Sequence, residues 1–324
     1  MGTAVRDDGP DLLSDVLVSL RVRGRVFCRS EFTAPWSIAF PRGRFAHFHV
    51  VQRGRCRLFL GREERLLRSG DIVVLPHGSG HTLGDRPGLR SHPLSALTPA
   101  DGWGPQAVIR HGGGGAVAQL LCGGFEFEGP TDHPLLAQLP EVLHVDSERG
   151  AGQMIEATLR LLDIAAAGSP GSDLLRTHLL AVAFVQLLRS WAEDRRVGWL
   201  HALRDRHMGQ ALRLMHAAPA RRWSLNTLAR HVGLSRSTFA ARFSNEIGVS
   251  PLAYLERWRL DLAASLLRRE RVGLEELADR VGYASAPSFS RAFRRRFAAT
   301  PGEYRKRHGR VQTPPPRARS TTVG

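Results

Sequence analysis

The sequence predicts a two-domain α+β protein, a strand-rich N-terminal half followed by an all-α C-terminal half. Three observations predict it. Near Asp146 the text changes from short apolar runs broken by Gly and Pro to apolar residues at helical spacing. The stretch LARHVGLSRSTFAARF, Leu228 to Phe243, is written again about fifty residues later as LADRVGYASAPSFSRAF, Leu277 to Phe293. The charge is also one-sided: residues 201–324 carry 24 Lys and Arg against 9 Asp and Glu, so +15 of the chain's net +16 lies there.

Taken in order, residues 1–10 read as a polar, disordered leader. Residues 11–146 form the first domain, where RFAHFHVVQRG, RCRLFLG and DIVVLPHG read as strands and turns. The run HGGGGA, His111 to Ala116, reads as a flexible loop, because no Lys and Ser or Thr follow it as a phosphate-binding loop requires. Residues 147–205 read as a helical linker with helices over Gln153 to Ala167 and Ser172 to Glu193. In the second, Leu179, Val182, Ala183, Phe184, Leu187 and Leu188 are apolar over most of the girth, which predicts burial against the strand domain or a second subunit. Residues 206–308 form the second domain, and residues 309–324, with Pro314, Pro315 and Pro316, a disordered tail.

Composition narrows the class. At 42% hydrophobic and 23% charged residues over 324 positions, the chain is an ordinary globular protein with room for two cores. LLAVAFVQLL from Leu179 is too short to span a bilayer, and no secretory signal opens the chain, so a cytoplasmic protein with no membrane partner is expected. Cys28, Cys56 and Cys122 are widely spaced without a C-x-x-C pair, which fits buried thiols in a reducing compartment. The basic half points to a polyanion, since clustered Arg releases condensed counterions on meeting phosphates.

The repeat supplies the geometry for that partner. In each copy a short helix ends in Val-Gly, and the Gly permits a sharp turn. Ser235 or Ser285 then caps a second helix whose Phe239 and Phe243, or Phe289 and Phe293, fall on one buried face. That is a helix-turn-helix, with the opposite face of its second helix available to a major groove. Arg236, Ser237, Thr238, Ala240, Ala241 and Arg242 cover the rest of the first recognition helix; Ser288, Ser290, Arg291, Arg294 and Arg295 cover the second. Arg291, mid-helix, is the expected base reader, while Arg294, Arg295 and Arg296 are expected on phosphates. Between the copies, Pro251 starts a helix of about 17 residues with Leu255, Trp258, Leu262 and Leu266 on one stripe, long enough to hold the recognition helices near successive grooves.

From about Arg206 to His308 these motifs, with GVSPLAYLERWRLDLAASLL and VGYASAPSFSRAFRRRFAATPGEYR, resemble the AraC/XylS class of transcription regulators. The resemblance implies a double helix-turn-helix domain in which Ser237, Ala240, Ala241, Ser288, Ser290 and Arg291 face the groove. Ala298-Ala299-Thr300 departs from the pattern, since the family usually has Gly and a small apolar residue before the Thr or Ser and Pro.

In the first domain, GDIVVLPHGSGH, Gly70 to His81, resembles the second cupin motif, in which two Gly and a Pro turn a tight corner and point His81 inward. Metal-binding cupins need an HxH motif with a following Glu. His47 and His49 lie two apart, but Gln52 and Arg53 stand where the Glu would be and Gly54 comes too soon. No metal and no cofactor are therefore expected, and His47, His49 and His81 are candidates for effector binding.

The fold expected is thus an N-terminal cupin-like β-barrel with trailing helices and a C-terminal all-α double helix-turn-helix domain. The function expected is sequence-specific binding of double-stranded promoter DNA by a non-enzymatic regulator whose barrel answers a small-molecule effector. A homodimer is a candidate assembly, and RNA polymerase a partner if the protein activates. Two alternatives make different demands. A cupin enzyme with an accessory basic domain requires metal at His47, His49 and His81. A redox sensor requires a reactive thiol among Cys28, Cys56 and Cys122.

Overall fold

A computed structural model describes residues 11–97, 103–127, 133–146, 170–193 and 198–308, with parts of 154–162. The predicted leader and tail, and much of the helix predicted over 153–167, lie outside the described residues. The chain divides into two compact units. One comprises Asp11–Gly209 with Phe243–Gly248, the other Gln210–Arg242 and the chain from Val249 onward.

The N-terminal unit opens with α1 (Leu12–Leu20), capped by the Asp11 carboxylate, which accepts from the Ser14 amide. The strands follow as β1 (Val22–Thr33), β2 (Ser37–Phe40), β3 (Ala46–Arg53), β4 (Arg55–Leu60), β5 (Glu63–Arg68), β6 (Ile72–Leu75), β7 (His81–Gly84), β8 (His92–Pro93), β9 (Val108–Gly112), β10 (Val117–Phe127) and, beyond the short helix α2 (Pro134–Ala137), β11 (Leu143–Val145). They build two sheets, in the orders β11-β6-β3-β10-β1-β9 and β5-β4-β7-β2-β8. Inward residues of both sheets, among them Phe32, Ile38, Val51, Leu58, Val73, Leu83 and Leu120, meet in one core. The predicted corner between β6 and β7 is present. Gly78 sits there at φ 64°, where a Cβ would lie 2.1 Å from the Gly43 carbonyl oxygen, so the close approach needs glycine. The Gly-rich run between β9 and β10 is tied down, because Gly113 and Gly115 donate to the carbonyls of Thr33 and Ala34 and Gly114 donates to the Thr33 hydroxyl.

Helix α3 (Ser172–Glu193) lies on the larger sheet. Leu180 fills the space above Gly24, and Phe184 meets Phe125 and Phe127 at ring distances of 4.8 and 5.8 Å. As expected, the helix is buried against the strand domain, but along one stripe. Ala183, Phe184, Leu187 and Leu188 face inward, whereas Val182, Leu174 and Leu175 are exposed. A sheet covers only one stripe of a helix, and the outer apolar residues of α3 lie off that stripe.

After α4 (Trp199–Ala202), the helices are α5 (Arg206–Ala217), α6 (Leu225–His231), α7 (Arg236–Ile247), α8 (Pro251–Arg269), α9 (Leu274–Arg280), α10 (Ala286–Phe297) and α11 (Pro301–His308). The two copies of the repeat are α6-turn-α7 and α9-turn-α10. Gly233 and Gly282 make the turns at φ 70° and 82°. At Gly282 a Cβ would come within 2.8 Å of the Ala220 backbone. Phe239, Phe243, Phe289 and Phe293 are all fully buried, each contributing about 1.5–3 kcal/mol of apolar burial.

Each copy is followed by a Ser- or Thr-capped helix with Pro first and a Tyr in its first turn. Tyr254 Oη lies 2.9 Å from His216 Nε2, and Tyr304 Oη accepts from Arg268 at 2.6 Å. The connecting helix α8 is 19 residues long and buried over most of its girth. Leu260, Ala263, Ala264 and Leu267 pack into the second copy's core with Leu277, Phe289 and Phe293. Trp258 stacks on His216 at 3.8 Å. Leu262 and Leu266 of the predicted stripe are only half-buried; the helix is gripped from several sides, and a single stripe does not describe it.

Candidate functional site

Both recognition helices start from the same local device. Ser235 Oγ accepts from the Thr238 amide at 3.2 Å, and Ser285 Oγ from the Ser288 amide at 3.4 Å, satisfying an otherwise orphaned first-turn donor. The third-position hydroxyls answer the cap: Ser288 donates to the Ser285 carbonyl at 2.8 Å, and Thr238 accepts from Ser235 at 2.8 Å. Thr238 and Ser288 therefore help hold the helix starts, a role their place in the sequence leaves unannounced.

With the Phe pairs turned inward, the outer faces are polar and basic. Arg236, Ser237, Thr238 and Ala241 are exposed on α7, with Ala240 and Arg242 half-buried. On α10, Arg291, Arg294 and Arg295 are exposed, with Ser288 and Ser290 half-buried. Arg295 pairs with Glu256 at 2.8 Å, but the pair is solvent-exposed and worth little, so a phosphate can displace the carboxylate.

Arg296 does not fit the phosphate role expected of it. Its guanidinium grips Asp261 of α8 in a two-pronged pair at 2.8 and 3.1 Å, and the side chains are only 8% and 2% exposed. It is a tie between α10 and α8. Asp261, an acid set between Leu260 and Leu262 on α8, was the available signal.

In the N-terminal unit, a cavity of about 300 Å³ opens among Phe27, Phe40, Leu94, Trp103, His47 and the two thiols of Cys28 and Cys122. The fold brings His47, His49 and His81 together. His49 Nε2 and His81 Nε2 are 2.7 Å apart, and the rings of His47 and His81 are 5.5 Å apart. Burial holds all three imidazoles below their ordinary pKa, His81 at about 4.

Neutral rings fix the direction of every hydrogen bond. His81 Nδ1 faces the Ser79 carbonyl at 2.9 Å and must donate, which leaves His81 Nε2 bare. His49 Nε2 then donates to it, leaving His49 Nδ1 bare to accept from the Cys122 thiol at 3.2 Å. This arrangement does not fit a shared metal ion. The two facing nitrogens are bonded to each other, and among the described residues no His, Cys, Asp and Glu cluster is arranged to hold one. His47 Nε2 is different: it is buried, lines the cavity side of β3, and has no hydrogen-bond partner among the described residues. Among the described residues no helix is long and apolar enough to cross a membrane.

Comparison with known proteins agrees with this division. The family described as Cupin matches residues 11–193, and that described as Helix-turn-helix domain matches residues 228–307. A protein of Streptomyces lividans, named for its likeness to AraC transcription regulators, is 35% identical over 91% of this chain and 98% of its own. The RCS-specific HTH-type transcriptional activator RclR of Escherichia coli K12 is 28% identical over 92% of this chain and 98% of its own. Among solved structures, the DNA-binding domain of AdpA in complex with a target DNA is 28% identical, covers 32% of this chain and 92% of that one, and superposes with a TM-score of 0.31. Both halves are matched in order, and relatives named as transcription regulators rather than enzymes align along nearly their whole length: the chain belongs to the AraC family of DNA-binding transcription regulators, with a cupin sensor domain joined to the helix-turn-helix domain.

Proposed function

We propose that one chain reads an asymmetric, two-part operator, α7 and α10 entering successive major grooves with α8 as the spacer. At about 1.5 Å per residue the 19 residues of α8 span roughly 28 Å, close to the ~34 Å between grooves. Arg291 is the main base reader, exposed and without an ion pair among the described residues. Arg236, Ser237 and Ser290 are further candidates for base edges. Arg294 and Arg295 take phosphates, and Ala240 and Ala241 offer only methyl contact, so the first half-site is read less stringently. The observation that carries this reading is the duplicated presentation: each recognition helix buries its Phe pair and turns its Ser and Arg side chains out. Selection of bound duplexes from a random pool by the full chain tests it. A bipartite consensus is expected; binding without a consensus would defeat the reading.

The cavity is the place for an effector. Its walls are apolar, and the unpartnered His47 Nε2 supplies one polar anchor, the usual make-up of a small-molecule site. An effector works only if it binds two states of the chain unequally, so its test is a change in operator affinity when it is added. Action on promoter DNA places the protein with the cytoplasmic nucleoid, and activation would add RNA polymerase as a partner.

A further inference from the structure

Cys28, Cys122 and His49 form one row across the larger sheet. Cys28 lies opposite Cys122 in the β1–β10 ladder, and Cys122 opposite His49 in the β10–β3 ladder. Opposed residues of antiparallel strands hold their Cα atoms about 4.5–5.5 Å apart, inside the ~4.4–6.8 Å that a disulfide spans. The register shift between Val26 and Cys28 takes up Phe27 as an extra residue, and without it Cys28 would point out of the core. Ser30 Oγ lies 3.8 Å from Cys28 Sγ and 4.0 Å from Cys122 Sγ. Both thiols are nearly inaccessible from outside yet line the cavity, whose other walls include the exposed Pro41 and Trp103.

We propose that Cys28 and Cys122 are a modification site, closed into an intramolecular disulfide by a small two-electron oxidant, a hydroperoxide or a hypohalous acid, that enters this cavity. The proposal rests on the sensory reading of the barrel and names the class of signal. Cys28 is the attacking thiol. The Cys122 side chain beside it holds its pKa down, while Cys28 and burial raise that of Cys122, whose proton is held toward His49. With hydrogen peroxide, the Cys28 thiolate takes one oxygen, the O–O bond breaks and hydroxide leaves. Cys122 Sγ then attacks the sulfenic sulfur, the S–S bond forms, the S–O bond breaks and the sulfenic oxygen departs as water. Two thiols lose two electrons, and their two protons end in two waters. With hypochlorous acid, the thiolate takes chlorine, the Cl–O bond breaks and hydroxide leaves; Cys122 Sγ then displaces chloride from the sulfenyl chloride and gives up its proton. His49 Nδ1, 3.2 Å from Cys122 Sγ, is the positioning residue that accepts this proton as the bond closes.

Cys56 is the internal control. It is buried in the core away from the cavity walls, and burial pushes its thiol up to about 12.

The test treats the full-length protein with stoichiometric hydrogen peroxide or hypochlorite, then alkylates, digests and maps it by mass spectrometry. A peptide pair joined through Cys28 and Cys122 is expected in the wild type and in Cys56→Ala, and not in Cys28→Ser or Cys122→Ser. Absence of that link from the wild type with both oxidants overturns the proposal, as does a link through Cys56 at equal yield. His49→Asn is expected to slow closure at least tenfold and to move its pH profile upward; His81→Asn, which removes only the partner of His49, is expected to do so less. Operator affinity is read on the same reduced and oxidised samples. A link that forms with no change in affinity sinks the sensory reading while leaving the dithiol site in place.

Discussion

Ala298 ends α10 in the left-handed region at φ 51°, where the equivalent residue of the first copy is Gly248 at φ 82°. A Cβ in that conformation costs about 1–2 kcal/mol, partly offset by the greater freedom glycine has when unfolded. Ala298→Gly is therefore expected to stabilise the protein by about 1 kcal/mol, seen as a higher urea midpoint at unchanged slope. Arg291 and Arg296 make a contrasting pair. Arg296→Ala strands the buried Asp261 carboxylate and is expected to cost about 3–5 kcal/mol of stability. Arg291→Ala is expected to leave the unfolding midpoint nearly unchanged and weaken operator binding by about 1–3 kcal/mol at one half-site. The two arginines look alike in the sequence because what separates them, Asp261, lies 35 residues upstream. The Phe pairs were legible because a spacing of four on a helix is a local fact.

At the scale of elements, the hydrogen-bonded line from Cys122 through His49 to His81 joins β10, β3 and β7. It requires neutral imidazoles. Histidines of the unfolded chain take protons near pH 6.5, whereas His81 in the fold does so only near pH 4 and His49 is also held well below its ordinary value. Between those limits the unfolded chain binds more protons than the folded one. Stability is thus fully present above about pH 6.5 and is lost as pH falls toward 4, by roughly 3 kcal/mol for His81 alone. Urea midpoints measured from pH 7.5 to 4.5 should show this decline, and a level profile would mean that the rings are not buried neutral. The sequence marked His47, His49 and His81 as a group through a motif, but it could not place Cys28 beside Cys122. That pairing depends on the register of two strands far apart in the chain and on a bulge that no residue type announces.

For the molecule as a whole, the asymmetry of charge predicts binding that collapses with salt. Each phosphate engaged adds about −0.9 to the slope of log affinity against log salt, so Arg294→Ala should lessen the slope by about 1 with little effect on sequence preference. Titration of the selected operator at several salt concentrations measures both. The division into a strand-rich and a helical half was readable because alternation and helical spacing are carried by short windows of residues. The packing of α3 on the strand domain was readable from its apolar girth, but which stripe meets the sheet was not, since that depends on strands far away in the chain.

The double grip on α8 has a consequence for the DNA. A helix whose Trp258 is stacked on His216 and whose Leu267 is sunk in the second copy's core neither stretches nor swivels. Two modules on a loose tether tolerate operators of many lengths; on the proposed operator these two are expected not to. One base pair added between the half-sites turns the second by roughly 35°, and a full turn added restores the facing but moves it ~34 Å further off. On the proposed two-part operator the genome is searched for one phase and one distance at once, and a single insertion that alters no contacted base is expected to remove a promoter from the regulon.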